Sequence, residues 1–179
     1  MLSYNVATLL REAPGTERRY AVEAADLPMY DDLQLAAPIA GEVRLSRTGR
    51  SILARARLST AIEPTCSRCL KAVVAPIDVE IEEVAMPSID IDTGQPVHPD
   101  VEPDALRLND HHELDLGEPV REAISLAEPI ALLCRPNCRG LCPTCGIDLN
   151  SAGRHAHNDE LIDPRLAGLA EWPGRQDTN

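Results

Sequence analysis

The chain has 179 residues, of which 44% are hydrophobic, a normal globular share that excludes wholesale disorder. Aromatics make up 2% with no Phe, so the core must be aliphatic, and base-stacking platforms or aromatic-lined cofactor grooves are excluded. Seventeen Lys and Arg against 29 Asp and Glu leave a net charge of −12, so nucleic acid or an anionic membrane could be met only through a local basic patch.

The opening Met1-Leu2-Ser3-Tyr4-Asn5 carries no cationic leader followed by an apolar run, and no stretch approaches the roughly eighteen apolar residues of a membrane span. A soluble cytoplasmic protein with no membrane partner is expected. In a reducing compartment its six cysteines read as metal ligands rather than disulfides. A short helix is predicted to start after Asn5 as cap and to stop before Pro14-Gly15. From about Ile39 the hydrophobic period becomes two. Val43 and Leu45, then Ile52, Ala54, Ala56 and Leu58, alternate with polar residues, and Thr48-Gly49 reads as the turn of a hairpin. That turn sets Leu45 opposite Ile52, Val43 opposite Ala54 and Glu42 opposite Arg55. Ile77, Val79 and Ile81 continue the same pattern as a further strand.

Residues 87–105 hold four prolines among acids and read as a loop or disordered linker. Asp115-Leu116-Gly117-Glu118 has capping-box spacing, and Leu116, Val120, Ala123, Ile124 and Ala127 then recur on one helical face until Pro129. A last short helix is predicted from Asp163 as cap, with Pro164, Leu166 and Leu169. The expected architecture is α+β: an antiparallel sheet, then a helix and a small zinc-binding module. Residues 1–86 form the helix and sheet with the first cysteine pair, 87–114 an acidic linker, and 115–179 the rest.

Charge is unevenly spread. Residues 44–71 carry seven cations against Glu63 alone, whereas 78–118 carry thirteen carboxylates against Arg107. Arg44, Arg47, Arg50, Arg57, Arg68 and Lys71 are therefore candidates for contact with nucleic-acid phosphates. The opposing reading is a cross-strand charge ladder, in which Asp78, Glu80 and Glu82 balance the arginines.

The strongest chemical signal is Cys134-x3-Cys138-x3-Cys142-x2-Cys145, joined by Cys66-Ser67-Arg68-Cys69 and by His155-Ala156-His157. Cys142-Pro143-Thr144-Cys145-Gly146 is a zinc-knuckle pattern, because two intervening residues let both sulfurs reach one ion and the glycine frees the backbone behind them. Six thiolates and two imidazoles suffice for two tetrahedral sites. Proximity in sequence pairs Cys134 and Cys138 with Cys142 and Cys145, leaving Cys66 and Cys69 to His155 and His157. His98, His111 and His112, in acidic loops, are read as ordinary surface residues. Cys138-x3-Cys142-x2-Cys145 also has radical-SAM spacing, but that motif opens a large barrel. His111-x-Glu113 with Cys142-x2-Cys145 weakly matches zinc deaminases, although Pro143 follows the cysteine instead of preceding it. No phosphate-binding glycine loop or nucleophile elbow occurs, so no catalytic residue and no small-molecule substrate are expected.

Cys66-Ser-Arg-Cys69-Leu70, the helix ending near Pro129, Leu141-Cys-Pro-Thr-Cys-Gly146-Ile-Asp-Leu-Asn150 and Ile162-Asp-Pro-Arg-Leu-Ala-Gly-Leu169 together resemble the YceD family, also called domain of unknown function 177. The resemblance runs from Leu9-Leu10-Arg11 and Pro14-Gly15 to Trp172. It implies a role in accumulation or maturation of 23S ribosomal RNA during large-subunit assembly, without catalysis. It implies 23S rRNA or an assembly intermediate as partner, with a basic ribosomal protein as the alternative, shielded by the acidic 78–118 region. The family pattern often has Cys-x-Cys where this chain has His155-Ala-His157, which implies ligation there. Some members lack most of the cysteines, which implies that zinc supports the fold rather than the activity.

Overall fold

The computed structural model describes residues 2–30, 33–97, 105–157, 164–166 and 168. From the N-terminus, β1 (Ser3–Asn5) leads into α1 (Ala7–Arg11), whose cap position is Val6 rather than the expected Asn5, although the Asn5 side chain accepts the Ala7 N–H at 3.1 Å. Four long strands follow: β2 (Glu17–Ala25), β3 (Leu35–Thr48), β4 (Ser51–Ile62) and β5 (Ala75–Met86). The short β6 (Leu106–Arg107) and β7 (Glu113–Asp115) precede α2 (Gly117–Leu126), and Pro164–Leu166 make a single 3-10 turn. The sheet runs in the order β2-β3-β4-β5-β6. Its first four strands are antiparallel neighbours, and β6 lies parallel to the end of β5. β1 and β7 pair separately as an antiparallel ribbon.

The alternate residues expected to point inward do so. Val43, Leu45, Ile52, Ala54, Ala56, Leu58, Ile77, Val79 and Ile81 are all buried, and they share one cluster with Leu9 and Leu10 of α1 and Val120 and Ile124 of α2. Leu114 and Leu116, immediately before α2, are fully covered in the same core. With no Phe available, Tyr4 and Tyr20 supply the aromatic contact at its rim, their ring centroids 4.9 Å apart. The cap position of α2 is Leu116, not the expected Asp115, whose side chain accepts the Gly117 N–H at 2.8 Å from one residue ahead of that cap. Glu118 does not close the box; its carboxylate accepts from Tyr30 and Arg121 instead.

The structure corrects the hairpin register. Thr48 pairs with Ser51, so the turn is Gly49-Arg50. Leu45 then faces Ala54, Val43 faces Ala56 and Glu42 faces Arg57. Gly49 has φ +60 at the first central position, where a type II′ turn asks for glycine. The displacement is two residues, so every side chain keeps its face. Two regions also differ from expectation. β2 adds an edge strand. Part of the expected 87–114 linker is built into the fold: Ser88 and Val97 close a loop around Asp90, and Leu108 is buried in the core. His98, the cap Asp163, Leu169 and Trp172 lie outside the described residues.

Gly41, in β3, sits at φ +151 where β3 crosses the Arg57 carbonyl of β4. A Cβ there would lie 2.1 Å from that oxygen. Only glycine fits, because both the dihedral and the space refuse a side chain. Gly41→Ala is expected to destabilise the protein by about 3 kcal/mol or more, through forced separation of β3 and β4. Denaturant unfolding with an unchanged midpoint would refute this reading of the strand crossing.

Candidate metal centres

Two hairpins of one design carry the cysteines. In the connection between β4 and β5, the Cys66 N–H donates to the Lys71 carbonyl at 2.8 Å and the Leu70 N–H to the Cys66 carbonyl at 2.9 Å. Thr65 bridges Ala72 across the hairpin. Beyond α2 the pattern repeats. The Cys142 N–H donates to Ile147 and the Gly146 N–H to Cys142, both at 2.8 Å, while Leu141 bridges Asp148. Each hairpin needs a left-handed residue after its second cysteine, Gly146 at φ +74 and Leu70 at φ +59. The two hairpins dock directly. Leu141 donates its N–H to the Arg68 carbonyl at 3.0 Å, and a Cβ on Gly140 would come within 2.9 Å of the same oxygen.

This docking brings the ligand atoms into two groups, Cys66/Cys69/Cys134/Cys138 and Cys142/Cys145/His155/His157, each with all four atoms within 4.8 Å of one another. Either group could hold a metal ion. In the first, Cys66 and Cys138 sulfurs lie 3.9 Å apart and Cys69 and Cys134 sulfurs 3.6 Å. Four thiolates around a tetrahedral ion at about 2.3 Å would be spaced by about 3.8 Å, so the residues fit. In the second, Cys142 and Cys145 sulfurs each lie 3.3 Å from an imidazole Nε2, of His157 and His155 respectively. The thiols are prepared for ligation. Backbone N–H groups of Cys134, Arg68 and Cys69 pull the Cys66 thiol down to about 6, and those of Cys145 and Thr144 do the same for Cys142. Cys134 is pushed up to about 12, first by loss of water and then by the neighbouring sulfurs, a conflict that a cation removes. Asn150 Nδ2 donates to Cys138 Sγ at 3.5 Å, orienting a ligand from the outer side.

The grouping corrects the pairing expected from chain proximity. Cys134 and Cys138 join the distant Cys66 and Cys69, and the histidines close on Cys142 and Cys145. All eight candidate ligands fall in one group or the other. His111 and Glu113 belong to neither. Glu113 is a strand residue of β7, its carboxylate accepting from Asn109, and Cys142-x2-Cys145 already has two imidazoles, so the deaminase arrangement is absent from these groups. Sequence reading did not single out Gly140 or the Asn150 side chain. Their signal was positional, within the Gly140–Asn150 run around the second hairpin.

Each of the six cations expected to meet phosphate has a partner within the chain. Arg44 lies between Glu17 and Glu42, Arg57 pairs with Glu80, and Arg50 pairs with Asp90. Arg47 donates to the Glu12 and Gly49 carbonyls, and Arg68 to the Cys138 carbonyl at 2.8 Å. Lys71 meets Asp148 at 2.7 Å, and this contact, with the Asn150 amide, holds the Asp148 carboxyl down to about 2. Arg55, placed by the register beside Glu82, pairs with it at 2.7 Å. Glu80 and Glu82 thus form rungs of the suggested ladder with Arg57 and Arg55, whereas Asp78 accepts from the Ser59 hydroxyl and Arg44 is balanced by Glu17 and Glu42.

Among known proteins, residues 54–171 match the family described as "Large ribosomal RNA subunit accumulation protein YceD". An uncharacterised protein of Mycobacterium tuberculosis (strain H37Rv) is 32% identical over 134 residues, covering 74% of this chain and 61% of the relative. One from Mycobacterium leprae is 27% identical over 140 residues, covering 78% and 61%. The chain therefore spans about three fifths of the length of these curated relatives. A 39-residue stretch, 22% of this chain, is 44% identical to 13% of the large ribosomal RNA subunit accumulation protein YCED homolog 1, chloroplastic, of Zea mays. No solved structure matches.

Elemental analysis of the purified protein is expected to find two metal ions per chain. Cys66→Ser should release one and leave the Cys142 group loaded, and Cys142→Ser should do the reverse. Loss of both ions from either variant would show one shared centre instead of two.

Proposed function

This chain belongs to the YceD family, and from that membership we propose that it is a non-enzymatic factor supporting accumulation or maturation of 23S ribosomal RNA in large-subunit assembly. The observation that carries the reading is the extent of the family match, which takes in β5, α2 and both cysteine hairpins rather than a short motif. Zinc is the ion that the two groups suit: thiolate and imidazole donors in tetrahedral spacing select it over magnesium, calcium or manganese. Each group supplies four protein ligands, so a bound zinc ion would be structural, with no position left for a reactive water. No helix among the described residues is long and apolar enough to cross a membrane.

A second reading has the net charge of −12 in its favour: a module that shields a basic ribosomal protein through residues 78–118. The two readings part company in what is physically touched. Cross-linking in cells, followed by identification of bound RNA and protein, is expected to enrich 23S rRNA or its precursors over 16S. Depletion of the protein should lower 23S relative to 16S. Recovery of a basic ribosomal protein without rRNA would replace the first reading by the second, and unchanged 23S on depletion would overturn both.

A further inference from the structure

We propose that the metal-hairpin module meets RNA phosphates through Arg135, Arg139 and Arg154, and that the arginines of the sheet do not. This rests on the reading of the chain as a ribosomal RNA factor and names the surface that reading lacks. Asn150 organises the surroundings of Arg135 and Arg139. Its Oδ1 accepts from Arg135 Nη2 at 2.7 Å and from the Arg139 backbone N–H at 2.9 Å, while its Nδ2 reaches Cys138. Two recesses open on either side. One is lined by Lys71, Cys134, Arg135, Asn150 and Asp148, whose carboxylate is taken by Lys71, and the other by Arg139, Gly153, Arg154 and His155. The cations are therefore carried on backbone that the two ligand groups fix, a preorganised surface rather than a flexible tail.

Among the described residues these three arginines have no acidic partner, whereas of the six cations expected to meet phosphate four are ion-paired and Arg47 and Arg68 are held by backbone carbonyls. Arg44, Arg50, Arg55 and Arg57 are each in an ion pair, as is Lys71, and Arg68 lies against the four-thiol group. Arg135, Arg139 and Arg154 are exposed, and none of them has an ion pair among the described residues. A loaded four-thiolate group carries −2, which Arg68 and Lys71 sit beside; the three outward arginines remain available. A guanidinium presents a planar fork matched to phosphate, and releasing counterions from RNA gives the contact its driving force. The module contains no Phe, Tyr or Trp between 133 and 157, so bases have no ring to stack on. The contact is consequently with the backbone and indifferent to base sequence.

The test is equilibrium binding of the full, metal-loaded chain to a mixed-sequence hairpin RNA across a KCl series. The triple variant Arg135→Gln, Arg139→Gln, Arg154→Gln should lower the slope of log affinity against log salt by about 3, one for each lost phosphate contact. The corresponding Lys variant should keep the slope. Metal content and thermal midpoint matching the parent confirm that folding is intact. A sheet variant, Arg44→Gln, Arg50→Gln, Arg57→Gln, should bind as the parent does. An unchanged slope in the module variant, or a loss confined to the sheet variant, overturns the proposal. If the parent fails to bind the hairpin yet co-sediments with large-subunit particles, the arginine surface falls and the ribosomal reading stands. If it does neither, both fall.

Discussion

Four thiols drawn from opposite ends of the domain, Cys66 and Cys69 between β4 and β5 and Cys134 and Cys138 beyond α2, must occupy one small volume. The docking of the two hairpins depends on that meeting. The second buried cluster of the protein consists of Cys66, Cys69 and Cys138 with only Val73, Leu133 and Leu141 packed on it, too little apolar surface to hold the hairpins together unaided. An ion shared by these sulfurs would close a loop of 65 residues from Cys69 to Cys134, which contains β5, β6, β7 and α2. Where the hairpins dock, Leu141 donates to the Arg68 carbonyl and Asn150 to Cys138.

The sheet is stabilised on different terms. Its inner face is a continuous aliphatic cluster shared with α1 and α2, and its outer face is a lattice of opposite charges set by register. These exposed pairs contribute little each, about 0–1 kcal/mol, but they neutralise Arg44, Arg55 and Arg57 on β3 and β4. The division of labour follows. The sheet carries structure and most of the compensated charge, and the hairpin module carries both ligand groups and three exposed arginines with no ion pair among the described residues.

Much of the fold was legible because it rests on local periodicity. Alternation at Ile52, Ala54, Ala56 and Leu58 fixes which face is buried, and Leu116, Val120 and Ile124 fix the inward stripe of α2, whatever else the chain does. β2 was harder to see. Glu17-Arg-Arg-Tyr-Ala-Val-Glu-Ala-Ala has few large apolar residues, since an edge strand buries less and its pairing partner supplies the order. The hairpin register slipped by two because Thr48-Gly49 and Gly49-Arg50 are both plausible turns, and a shift of two leaves the hydrophobic pattern equally satisfied.

By itself the sequence determined the α+β class, the inward faces and the identity of all eight candidate ligands, because each is encoded within a few residues. Only the tertiary structure decided which ligands meet, that Gly41 must lack a side chain, and which arginines are already paired. Those are relations between segments far apart in the chain. Cys134 is close to Cys142 along the backbone and yet shares its ligand group with Cys66, because the docking of two hairpins, rather than the number of residues between cysteines, sets the distance between sulfurs.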